Sequence, residues 1–184
     1  MIDLLQKPTI VGGKVILRPF VDEDFPYIEE CLKDPELLKL TGSDSEYNRE
    51  TVLQWYTSRN AQADRLDLAI VDPVHDCLVG EAVANSYDAG NHSMNFRIMV
   101  GPRGRDRGLG TEATQLFLDY LFTSTSLREI TLSVFEFNPR ARHVYEKMGF
   151  VECGIEEDEL EFEGEWIDSI LMSLPRDVWL GRES

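Results

Sequence analysis

Between an apolar, β-like run at 94–100 and a helix whose apolar residues Leu109, Ala113, Leu116, Phe117 and Tyr120 recur at steps of three and four, the chain carries a loop dense in glycine and arginine. A strand–loop–helix of this kind leaves few options. Glycines remove side chains where the backbone must come close to another body. The first amides of the following helix, near Gly110 and Thr111, have no intrahelical acceptor and lie at the positive end of its dipole. The loop is therefore expected to seat a pyrophosphate among Arg105, Asp106, Arg107, Gly108, Leu109, Gly110 and Thr111.

The rest of the chain reads as one unit, since no repeat or low-complexity linker divides its 184 residues. Residues 15–18 form a strand, and Asp22, Glu23 and Asp24 sit where a helix start favours acids. That helix runs to about Leu32. A second helix begins near Asn48, a plausible N-cap, and stops before Asp67. Residues 68–71 and 78–84 make a hairpin across the turn-forming 72–76. Residues 129–135 return as a strand, and Pro139 opens a short helix that ends before Gly149. Two last strands, 150–162 and 166–174, turn at Glu163-Gly164. The order predicts an α+β fold: a mixed, mostly antiparallel sheet of about seven strands with helices on both faces.

Charge narrows the function. The net charge of −16 argues against nucleic-acid or anionic-membrane binding, which needs accumulated Lys and Arg. Yet residues 101–147 hold seven basic residues against six acidic, so basic charge gathers where phosphates would sit. From Glu152 to Asp168 there are nine acids and no Lys or Arg. That run would draw a cationic partner, and a solvated hairpin face accounts for it equally well. Cys31, Cys77 and Cys153 are too scattered for a disulfide framework, and His75, His92 and His143 lack metal-ligand spacing, so no metal is expected. Residues 1–10 lack the apolar stretch of a signal peptide, and no span of about 18 apolar residues occurs. A cytoplasmic protein is expected.

Arg105-Asp106-Arg107-Gly108-Leu109-Gly110 matches the Arg/Gln-x-x-Gly-x-Gly/Ala signature of the GCN5-related N-acetyltransferases and resembles their acetyl-CoA pyrophosphate loop. The run from Asn138 through Arg142 and Tyr145-Glu146-Lys147-Met148-Gly149-Phe150 looks like the same family's second signature. The ending, Asp168 to Trp179, is more weakly similar to the branch that acetylates ribosomal-protein N-termini. This resemblance covers most of the chain and implies that family's fold across a single domain, residues 1–184. It implies acetyl-CoA as co-substrate and transfer of its acetyl group to a primary amine, a protein N-terminus or a small cationic amine. Backbone groups of Ile98, Met99 and Val100 would pair with the pantetheine arm, Asn138 and Arg142 would help hold the cofactor, and Tyr145 would protonate the departing sulfur. The final strands and Trp179 offer an edge for a homodimer.

Asn95 stands where many members of the family carry Glu, and an amide cannot accept a proton. Water relayed to Glu81, Asp168, His92 or Ser93 is the substitute, and none is singled out. Asn95 also suits a non-catalytic acyl-CoA-binding module. Gly108 to Ala113, with Glu129 beyond, satisfies a dinucleotide-binding pattern too. That fold would need several more parallel strands than the chain has room for after Glu129.

Overall fold

The computed structural model describes residues 2–42 and 46–182. Strands β1 (Ile10–Val11) and β2 (Ile16–Arg18) pair antiparallel. A 3-10 turn at Asp22–Asp24 leads into helices α1 (Phe25–Leu32), α2 (Pro35–Thr41) and α3 (Arg49–Arg59). An antiparallel meander follows: β3 (Leu66–Asp72), β4 (Cys77–Asp88) and β5 (Ser93–Val100). Helix α4 (Leu109–Ser124) crosses to β6 (Glu129–Phe135), which runs parallel to β5. Helix α5 (Pro139–Met148), strands β7 (Val151–Phe162) and β8 (Glu165–Pro175), and helix α6 (Arg176–Leu180) complete the chain.

The described residues form one eight-stranded sheet in the order β1-β2-β3-β4-β5-β6-β8-β7, parallel only between β5 and β6. Strand β3 shows why helices must cover both faces. Every one of its residues is buried. Leu66, Leu68 and Ile70 pack with Phe117, Leu121 and Met148 on the α4 and α5 side, whereas Ala69 and Val71 pack with Ile28 and Tyr56 on the α1 and α3 side. Period-two alternation thus feeds two cores from one strand.

The sequence pattern placed most of the long elements within a residue or two, ended β4 four residues early at Ala84, and passed over three short elements, β1, α2 and α6. Two to seven residues carry too little periodicity to register. For α2 the signal lay in its caps. The Asp34 carboxylate accepts from the Leu37 amide at 2.9 Å, Pro35 occupies the first turn, and Gly42 closes the helix at φ 65. Trp179 departs from its expected role. Its ring is buried 6.4 Å from Phe122 and its indole N–H reaches toward Asp119 at 3.4 Å, so it belongs to the α4–α6 packing and offers no dimer surface. Among the described residues no helix is long and apolar enough to cross a membrane.

One buried ion pair braces the α3 side. Arg59, 1% exposed, pairs with Asp67 on β3 and stacks on Trp55 with its guanidinium carbon 3.2 Å from the ring centre. Arg65 adds bonds to the same carboxylate at 2.6 and 3.0 Å. Removing one partner of such a pair strands a buried charge. Asp67→Asn is therefore expected to lower stability by about 3–5 kcal/mol in urea denaturation; a loss below about 1 kcal/mol would show that Trp55 and water already satisfy Arg59.

Candidate active site

Strands β5 and β6 stay together for three residue pairs only, Ser93↔Glu129 through Asn95↔Thr131. Beyond them β5 keeps its antiparallel partner β4 as far as Val100, and β6 keeps β8 as far as Phe135. The two strands therefore diverge, and a wedge opens between their C-terminal halves. Helix α4 begins at the top of this wedge and α5 beside it.

The backbone of β5 beyond Asn95 faces this wedge with every second residue. A Cβ on Gly80 would collide with the Met99 carbonyl oxygen, so that oxygen points at β4. Alternation along a strand then turns the N–H and C=O of Ile98 and Val100 the other way, toward the gap. Of the three residues expected to meet a pantetheine arm, Ile98 and Val100 thus have backbone groups available, and Met99 contributes its side chain.

Two cavities meet in the wedge, of about 270 and 330 Å³. Both are lined by Ile98, Met99, Asn138 and Tyr145, which form the partition between them. The smaller runs up along Val100, Arg105, Asp106, Gly108, Leu109, Gly110 and Thr111. The larger opens over the sheet face toward Glu81, Asn95, Arg97, Ser133 and Ser169.

The glycine loop lies tightly on β5. A Cβ on Gly104 would sit 2.9 Å from the Val100 side chain, and one on Gly110 would sit 3.1 Å from it. Gly108 adopts φ 74 and Asp106 φ 59, two left-handed residues that fold the loop back over the start of α4. Gly108 gives α4 no side-chain cap, and Glu112 donates the first bond, to the Gly108 carbonyl. The amides of Leu109, Gly110 and Thr111 lie ahead of that bond, in the cavity wall, as a diphosphate seat requires.

The arginines that gather around the loop are each engaged by carboxylates. Arg105 pairs with Asp34 and, at 3.0 Å, with Glu36, both from α2. Arg107 binds Asp72 at 2.9 Å and the Arg103 carbonyl, outside the cavity lining. Arg142 also points away, to Glu146 at 3.1 Å and Glu152 at 2.7 Å. A strongly acidic chain thus supplies carboxylates to Arg105, Arg107 and Arg142. His75 first, then the Val74 amide and Arg107, hold the Asp72 carboxyl well below the usual carboxylate range. The cavity wall at this loop is therefore built from the residues that start α4, with Arg105 as its one loop arginine.

Asn138 caps α5, its side-chain oxygen accepting from the Ala141 amide at 3.3 Å, and lines both cavities. Tyr145, two turns along the helix, packs edge-on against Phe150 with ring centres 5.7 Å apart. Burial pushes its phenol up to about 12, so it is a proton donor throughout the neutral range.

Of the four groups named for a proton relay, only Glu81 lines either cavity. Asp168 accepts from the Asp158 amide, and His92 lies near the Tyr87 hydroxyl beyond the other end of β5. The α2 residues Leu40 and Thr41, which roof both cavities, went unrecognised in the sequence because α2 itself did. Among the described residues no group of three or more His, Cys, Asp or Glu could hold a metal ion.

Comparison with known proteins converges on this architecture. Residues 14–151 match the family model described as an acetyltransferase (GNAT) domain. A spermidine N(1)-acetyltransferase of Vibrio cholerae is 27% identical over 148 residues, covering 73% of this chain and 86% of that protein. The mouse (Mus musculus) alpha/beta-tubulin-N-acetyltransferase 9 is 26% identical over 159 residues, or 80% of this chain, which spans only 66% of that longer relative. In structure, the V. cholerae spermidine N-acetyltransferase in complex with CoA and spermine superposes with a TM-score of 0.84 at 22% identity, over 92% of this chain and 99% of that one.

The raised Tyr145 pKa is directly observable. With 13Cζ-labelled tyrosine, the resonance missing from Tyr145→Phe should show no ionisation up to pH 10, and a midpoint at or below 10 would contradict the burial described above.

Proposed function

Because the chain belongs to the GNAT acetyltransferase family, matched over residues 14–151, we propose that it acts as one domain, residues 1–184, moving the acetyl group of acetyl-CoA to the primary amine of a small cationic acceptor. The observation that carries this reading is the pair of cavities meeting at Tyr145, one walled by helix-start amides and the other reaching a buried carboxylate. The amide seat suits a diphosphate, and the Ile98 and Val100 backbone groups suit the amide-bearing arm that links a diphosphate to a thiol. Tyr145 then stands where the sulfur end would arrive, protonated and ready to donate.

The acceptor cavity favours a small amine over a peptide chain. At about 330 Å³, with Leu40 and Thr41 of α2 in its wall, it has the volume of a metabolite site. The spermidine acetyltransferases among the relatives point the same way. The ribosomal-protein N-terminus suggested by the ending of the sequence finds no support in the cavity size or in the spermidine relatives; of the relatives compared above, the tubulin acetyltransferase is the one named for a protein acceptor. A homodimer, if formed, would use edge strand β7 and the exposed Val151, Ile155 and Trp166, with Trp179 excluded.

Mixing the protein with acetyl-CoA and a panel of mono-, di- and polyamines should release free thiol with at least one of them, and no release above background with any would contradict the reading. Tyr145→Phe is expected to lower kcat about 100-fold or more while leaving the dissociation constant for acetyl-CoA within about threefold. Unchanged turnover would instead favour a module that binds acyl-CoA without transferring it. Gly110→Val, which drives a side chain into Val100, should weaken acetyl-CoA binding at least tenfold by calorimetry, and unchanged affinity would remove the glycine loop from the site.

A further inference from the structure

Glu81 is buried, 6% exposed, in the wall of the larger cavity, and its Oε2 has no hydrogen-bond partner. A carboxylate oxygen removed from water without a partner costs stability, so a chain keeps one where something else supplies the missing donor. The position says what that is. Glu81 lies directly across from Met99 in the β4–β5 register, so the two side chains share a face and reach the same cavity. Met99 sits between Ile98 and Val100, whose backbone groups open into the wedge. Among the described residues lining this cavity Glu81 is the one carboxylate; the other polar groups there are Thr41, Asn95, Arg97, Ser133, Asn138, Tyr145 and Ser169.

We infer that Glu81 is the acceptor-side catalytic residue, its carboxylate receiving the ammonium group of the substrate amine and taking a proton from it. The inference rests on the acetyltransferase reading above and names the base that Asn95 cannot be. Glu81 removes one proton from R–NH3+, and the freed lone pair forms the C–N bond to the thioester carbonyl carbon. The C–S bond breaks with its electrons on sulfur, which takes a proton from the Tyr145 hydroxyl. Tyr145 recovers a proton from the nitrogen of the new amide, and the proton on Glu81 passes to solvent. The products are the N-acetylamine, free thiol and one proton.

The charged and titratable groups around Glu81 come from every element packed against it: Cys31 on α1, Tyr56 and Arg59 on α3, Arg65 at the start of β3 and Arg97 on β5. Arg59 is engaged by Asp67. The Tyr56 phenol is held well above its ordinary range, first by burial and then by the Glu81 charge, so it stays a neutral neighbour. Arg97 is exposed at the cavity wall, which favours an acceptor with one ammonium near Glu81 and its remaining length led away from Arg97.

The test compares wild type, Glu81→Gln and Glu81→Asp for kcat/KM against pH, using the best amine found in the panel, with acetyl-CoA affinity and melting temperature measured in parallel. The isosteric Gln is expected to lower kcat/KM at least 100-fold and abolish the acid limb of the profile, without lowering acetyl-CoA affinity or the melting temperature. Asp is expected to recover at least tenfold of the loss and keep the limb. A Glu81→Gln rate within threefold of wild type, an unchanged limb, or weakened acetyl-CoA binding would overturn the inference while leaving the transferase reading intact. Absence of turnover in wild type would instead sink that reading. Should Glu81→Gln not fold, inhibition of the wild type by n-butylammonium and by n-butanol decides: the ammonium must bind at least tenfold more tightly, and equal inhibition overturns the assignment.

Discussion

Parallel strands that separate after three paired residues leave peptide groups with no ladder to join, and a folded chain rarely tolerates such groups away from water. In this protein the parting of β5 and β6 turns that liability into a site. It exposes the Ile98 and Val100 backbone, lets α4 and α5 begin on either side of the opening, and gives access from the glycine loop to the sheet face beneath α2. The wedge persists because each strand is secured on its outer side, β5 by β4 through Val100 and β6 by β8 through Phe135.

Electrostatics complete what the backbone begins. The chain is strongly acidic, and Arg105, Arg107 and Arg142 are held by carboxylates at α2, the end of β3, α5 and β7. On the proposed reading, phosphate recognition falls to helix-start amides, whose donors need no counter-ion to be exchanged, in a wall that also holds Arg140 and Arg105. The pairing of Arg105 to Asp34 and Glu36 also ties the loop to α2, the same helix that roofs the acceptor cavity. The glycine loop and the helix over both cavities are thereby joined through one guanidinium.

Much of this was legible in the sequence, for identifiable reasons. Strand β6 and helix α5 were read at their observed ends because Pro139 and Gly149 mark a start and a stop that few other residues would occupy. The glycine loop was legible because glycine spacing reports backbone approach, and Gly104 and Gly110 do crowd Val100. Helix α2 is not legible from periodicity, since seven residues carry no period, although Asp34 and Gly42 flank it and Pro35 opens it. The fates of Arg107 and Arg142 could not be read at all, because Asp72 and Glu152 approach them only once the chain is folded. Glu81 was one of four equal choices until the sheet register set it opposite Met99.

The central claim is that the amides at the start of α4 and the Ile98–Val100 edge of β5 form one continuous seat meeting Tyr145. Titrating CoA into 15N-labelled protein and following backbone amide resonances tests it most directly. The account predicts the largest shifts at Leu109, Gly110, Thr111, Ile98 and Val100, with Met99 shifting less because its peptide groups face β4. Shifts centred elsewhere, or leaving those five amides in place at saturation, would contradict it.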